Sequence, residues 1–272
     1  MKKLLLLSVV LLLLIACNTK KQVEVAVNSG NYDRAINTAL DKLRKNKDKK
    51  RNYDYAIMLQ DAYYKVVERD LENIAHLKKD KNPESFRNIY ELYLDLDARQ
   101  EAIKPILPLN VNGKNIRFTF NDYSNDIISS KTQLSDYLYE KGLNLLESDD
   151  KQTIRQAYSE LSYLERISPN YENTRDLLSE AHERGKDRIL VSILNNTQQV
   201  IPQRLEAELL NFDTYGLNKF WSEYHANKVP NLNYDYAMHL NLKQIDVSPE
   251  RVNQREFLRE KEVVDGWEYE KD

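Results

Sequence analysis

The sequence contains one cysteine, Cys17, among 272 residues, so no disulfide can form within a chain and the fold must stand on burial alone. Glycine and proline are scarce, at 6 and 7 copies, which suits uninterrupted helices better than a loop-rich β architecture. Charge of one sign is also lacking. With 40 basic against 43 acidic side chains the net charge is −3, and the chain as a whole carries no footprint for a phosphate backbone. Nucleic acid is therefore not an expected partner. The four histidines, His76, His182, His225 and His239, are never three or four residues apart, and no second thiol exists to complete a zinc set. There is no glycine-rich phosphate loop and no G-x-S-x-G turn. We accordingly expect no metal, no cofactor and no catalytic residue. The longest apolar run, residues 4–15, falls short of the about 20 residues that a membrane-spanning helix needs.

That run is nevertheless informative. Lys2 and Lys3 precede it, and Leu14-Ile15-Ala16-Cys17 closes it. A basic start and an apolar core of this length have the form of a signal peptide. The closing four residues resemble the lipobox of bacterial lipoproteins. The resemblance implies cleavage before Cys17, a diacylglyceryl group on its sulfur, and a lipid bilayer as partner. A thiol is a strong nucleophile for that transfer, and small Ala16 leaves room for the peptidase. An ordinary cleaved signal peptide or an uncleaved anchor, with the cysteine there by chance, are the alternatives. Asn18 rather than an aspartate follows the cysteine, which by resemblance to known sorting rules points to the outer membrane.

We expect a mainly α protein: a signal peptide over 1–16, a lipidated tether over 17–28, a helical body over 29–186 and a small α/β domain over 187–272. In "SGNYDRAINTALDKL" a glycine turn precedes a helix with Ala35, Ile36, Ala39, Leu40 and Leu43 on one stripe. Gly30, Tyr32, Ala35 and Ala39 resemble the second half of a tetratricopeptide repeat, although the solvated run "RKNKDKKR" replaces its closing proline. A long helix follows from Tyr53. Asn82 and Pro83 start another, and Asn112-Gly113 marks a turn, in a short hairpin or an ordered insertion between helices, where Ile116, Phe118 and Phe120 alternate with polar residues. Helices resume at about Thr132. "AYSELSYLERISP" again resembles the repeat, with Pro169 twelve residues after Ala157. Gly185 ends a last helix.

Beyond residue 187 the texture changes. "RILVSIL" reads as a strand buried on both faces. Pro202 opens a helix through Leu205, Leu209, Leu210 and Phe212, with a second through Leu217, Phe220, Trp221 and Tyr224. "YAMHLNLKQIDV" alternates as a strand with one polar face, and "FLREKEVVDGWEY" reads as its antiparallel neighbour. This order is similar to the small α/β domain of bacterial envelope lipoproteins of the curli-secretion and penicillin-binding-protein-activator types. No ligand-binding residue carries over from them.

The candidate binding surface is aromatic: Tyr215, Phe220, Trp221 and Tyr224, with His225 beside them. Such rings either meet a partner or pack the helix on the sheet. Tyr55, Tyr63, Tyr90 and Tyr93 form a second candidate, on the concave face of the helical hairpins, with core as its alternative. Asp95 and Asp97, two apart on a helix, point to different sides and read as a solvated face. The residues 148–152 read as a helix cap. The expected function is a non-enzymatic scaffold or adaptor for an envelope protein. The alternatives are a secretion or cell-wall assembly component docking through residues 187–272, and an envelope carbohydrate hydrolase, which needs two carboxylates about 5–10 Å apart in one cleft.

Overall fold

The computed structural model describes residues 20–197, 199–211 and 216–246. The chain is mainly helical, with a few strands in small sheets. It divides into two compact units, one ending at Gly185 and the other starting at Lys186.

Where the described residues start, in the first unit, residues 20–28 are helical, here α1. Over residues 20–28 this corrects the tether expected over 17–28, because Val23, Ala26 and Val27 lie in the hydrophobic core. Their i, i+3, i+4 spacing is helical, and Val25 is left exposed. Gly30 turns the chain with φ of 76°, and the Asn31 side chain accepts the Arg34 N–H to cap α2, Tyr32–Lys45. Ala35, Ile36, Ala39, Leu40 and Leu43 of α2 are buried with Leu59, Ala62, Tyr63 and Val66 of α3, Tyr53–Asp80. Asn82 accepts the Glu84 N–H over a short 3-10 turn that opens at Pro83 and leads into α4, Phe86–Ile103.

One charged network ties α2, α3 and α4 together. Arg99 is buried and donates to Asp70 at 2.8 Å and to Asp33 at 2.6 and 3.2 Å, while Arg69 holds the other oxygen of Asp70. Asp95 lies 3.7 Å from the same guanidinium, and desolvation, aided by Asp33 and Asp70, pushes its carboxyl above the ordinary value.

After α4 the chain forms the expected hairpin, β1 (Leu109–Val111) and β2 (Lys114–Ile116), antiparallel with Leu109 opposite Ile116. Asn112 and Gly113 both have positive φ, as a tight hairpin turn requires. Helix α5, Ser124–Leu146, starts eight residues earlier than the expected Thr132, where Asp122 accepts the Ser124 N–H. It packs on α6, Lys151–Ile167, which packs in turn on α7, Thr174–Gly185. Gly142 of α5 permits the close approach to α6: a Cβ there would sit 2.5 Å from a Leu161 methyl.

In the second unit β3 (Asp187–Asn195) is the central strand of three, with β4 (Ser222–His225) and β5 (Tyr236–Leu242) parallel to it on either side. Only Ile189 and Val191 of β3 are buried, and Leu194 is 45% exposed, so the strand is covered on one face and not on both. Leu210, Leu217, Tyr224, Ala226 and Leu240 pack on that pair. A short helix α8, Gln203–Leu209, follows β3. The second helix expected through Leu217 and Tyr224 is absent. Paired main-chain bonds between Lys219 and Ser222 close a tight turn, and β4 starts there. The antiparallel neighbour expected over 257–269 lies outside the described residues, as do Cys17, the signal peptide and Phe212.

Two substitutions test this packing. In Gly142→Ala, better helix propensity gains about 1 kcal/mol, while overpacking against buried Leu161 costs about 1–3 kcal/mol. We expect urea unfolding to show a net loss of about 1 kcal/mol; a gain would contradict the close approach. Asp150 caps α6 by accepting the Thr153 N–H and hydroxyl, and these bonds hold its carboxyl below the ordinary value. A depressed carboxylate contributes stability above its unfolded value, about 4, and loses it as pH falls through the folded one. Asp150→Ala therefore lowers the thermal midpoint at neutral pH, and the difference from wild type shrinks in acid.

Candidate functional site

Of the four aromatic residues expected to form a surface, Tyr215 lies outside the described residues. Phe220 is 49% exposed and meets the half-buried Trp221 ring edge-on at 4.7 Å. Trp221 is also fixed through its backbone, whose carbonyl accepts the Asp187 N–H at 2.8 Å. Tyr224 separates from them. As a residue of β4 it packs with Ile189 and Val191, and its N–H is taken by the Asn218 side chain. The cluster therefore splits into Phe220, exposed against a half-buried Trp221, and a partly buried Tyr224 packed on Ile189 and Val191. Tyr236 and Met238 of β5 add 60% and 37% exposed apolar surface to the same unit.

The opposite face of the sheet carries an ordered polar array that helical spacing could not reveal. Period-two alternation puts Glu223 and His225 on one side of β4 and Tyr224 on the other. His225 Nε2 lies 3.2 Å from Glu223, and its Nδ1 lies 2.8 Å from the Tyr234 hydroxyl. An ionised carboxylate only accepts, so in the neutral ring Nε2 carries the proton and donates to Glu223. Nδ1 then accepts from Tyr234, whose oxygen accepts the Val229 N–H at 3.0 Å. Across β3, Ser192 Oγ meets Nδ1 of its register partner His239 at 2.7 Å. These groups can hydrogen-bond a ligand. Among the described residues, no group of three or more His, Cys, Asp or Glu side chains is arranged to hold a metal ion.

The second candidate, in the helical unit, is core. Tyr55, Tyr63, Tyr90 and Tyr93 are all less than 9% exposed. Burial pushes the Tyr63 hydroxyl far up. The groove beside Tyr63 is filled by the chain's own extended strap, residues 117–121. Gln60 donates to the Arg117 carbonyl at 2.7 Å, Tyr63 to that of Thr119 at 3.0 Å, and Tyr64 accepts the Thr119 N–H. Buried Gln100 closes on Asn121 from both sides, donating to its carbonyl at 2.9 Å and accepting its N–H at 2.7 Å. Phe118 and Phe120 stack 6.2 Å apart, each edge-on to Tyr63. A cleft of about 370 Å³ opens elsewhere in this unit, between the end of α3 and the first turns of α4 and α5. Lys78, Lys81, Phe86, Asp126 and Ser130 line it, and Lys78 is drawn to the Tyr93 hydroxyl at 2.8 Å.

The carboxylates that do cluster, Asp33, Asp70 and Asp95, close around Arg99 rather than around a cleft. No family model, curated protein or solved structure matches the chain. No described helix is long and apolar enough to cross a membrane.

The strap makes a local prediction. Gln100→Ala leaves the Asn121 N–H and carbonyl without their partner, at a cost of about 1–3 kcal/mol. Hydrogen exchange should show the Asn121 amide opening faster than in wild type, and an unchanged rate would show that the clamp does not hold the strap.

Proposed function

We propose that this chain is a lipid-anchored, non-enzymatic scaffold of a bacterial cell envelope, acylated at Cys17, that holds a partner protein at the membrane. The observation that carries this reading is the start of α1. Lys20 is already helical and Val23 already core, so only Asn18 and Thr19 lie between the anchor residue and the folded body. The packing of that body supports a tetratricopeptide-like stack. Ala157 is completely buried twelve residues before Pro169, and Gly142 and Leu161 form the close contact between paired helices. Stacked hairpins of this kind present extended surfaces and bind many unrelated partners. The outer membrane is the proposed location.

A second reading, docking through the α/β unit in secretion or cell-wall assembly, is favoured by the exposed Phe220, Tyr236 and Met238. Apolar rings of this size at the surface fit an interface.

Two experiments test the proposal. Cys17→Ser should abolish uptake of labelled palmitate and release the protein from membranes; continued labelling would exclude acylation at Cys17. Affinity capture from solubilised membranes should recover a stoichiometric envelope protein. If Phe220→Ser with Tyr236→Ser loses that partner while thermal unfolding is unchanged, the α/β unit carries the contact. If capture persists, the helices do.

A further inference from the structure

Residues 44–51, "RKNKDKKR", hold six basic side chains and one acidic one in a chain whose net charge is −3. They join α2 to α3, and the structure gives them a defined place. Arg44 donates to the Ala102 carbonyl at 3.3 Å and Lys47 to that of Ile106 at 3.0 Å, so the loop is fastened to the end of α4. Arg44, Lys45, Lys49, Lys50 and Arg51 remain exposed. At the same end of the unit lies Lys20 of α1, which pairs with Asp54 in the first turn of α3 at 2.5 Å. Lys20 and Arg51 both act electrostatically on Tyr55, where burial raises the hydroxyl and the two cations oppose it. Exposed Lys21 extends the patch. Acids at this end include Asp48, Asp54 on Lys20, and Glu101 on Lys104, where Asp97 and Asp122 also act.

Part of this charge suits the fold, since Lys42, Arg44 and Lys45 complement the carboxyl end of α2. Lys49, Lys50 and Arg51 do the opposite. They precede the amino end of the 28-residue α3, where the helix dipole repels cations and where the acid of the first turn, Asp54, is paired with Lys20. Only Asn18 and Thr19 separate Cys17 from Lys20, a reach of about 10 Å at most. That distance is about one Debye length at physiological salt.

We propose that this basic end of the helical unit is a docking surface for anionic phospholipid headgroups, which orients the anchored protein with α3 directed away from the bilayer. The inference rests on acylation of Cys17. Charge complementarity and the short reach from the anchor select a membrane surface as occupant.

The test uses the full acylated protein reconstituted into phosphatidylcholine vesicles with and without phosphatidylglycerol. Lysines are acetylated and counted by mass spectrometry. Lys45, Lys49 and Lys50 should react at least about fivefold more slowly on the anionic vesicles, the factor expected from one basic residue near such a surface. High salt should remove the difference. Lys79 and Lys81, about 40 Å away at the far end of α3, should react equally on both. Lys49→Gln with Lys50→Gln and Arg51→Gln should keep the acyl group and lose the protection of Lys45. Equal rates on both vesicles, or equal slowing of Lys79, overturn the surface while leaving the anchor intact. Failure of wild type to take up palmitate overturns the anchor and the orientation together.

Discussion

The burial of Val23, Ala26 and Val27 is the constraint from which the account follows. The apolar stripe of α1 is packed in one core with α2 and α3, which fixes the described part of this helix on the body. That packing removes the slack a flexible tether would give. Whatever chemistry Cys17 undergoes is therefore carried out close to a folded body.

Polar contacts set the geometry of that body. Asp70 is 1% exposed, and taking it and Arg99 out of water costs several kcal/mol per ion. The pair survives because Asp33, Asp70 and Arg69 satisfy nearly every direction in which the charges point. Its effect is better described as specifying how α2, α3 and α4 meet than as adding net stability. The strap is held similarly, by Gln60, Tyr63, Tyr64 and Gln100 acting on main-chain groups of residues 117–121. Filling the groove beside Tyr63 from within leaves the outer faces of the helices and the exposed rings of the α/β unit as places for a partner.

Elements whose signals are local were legible in the sequence. The α2 stripe, the Asn82-Pro83 start, the Asn112-Gly113 turn and the alternation of β5 each need only a few neighbouring residues to be read. Three features were not. Val23, Val25 and Val27 alternate like a strand inside a lysine-rich opening, and only the core decides that Ala26 joins Val23 and Val27 while Val25 stays outside. The first turns of α5 are rich in polar residues and expose Ile128, so the apolar pattern places the helix start later than it is. Phe220, Trp221 and Tyr224 fall at helical spacing by coincidence, since a two-residue turn and a four-residue strand leave no periodicity to detect. The candidate site was legible as an aromatic concentration and not as a geometry. Its division between surface and core, and the polar array of Glu223, His225 and Tyr234, depend on pairing with β3, more than thirty residues upstream.

The anchor we propose at Cys17 leaves only Asn18 and Thr19 between the acylated residue and Lys20 of the folded body. Neutron reflectometry of the acylated protein on a supported bilayer measures this directly. The account predicts that protein density begins within about 10 Å of the headgroups. A hydrated gap wider than that between bilayer and body would contradict it.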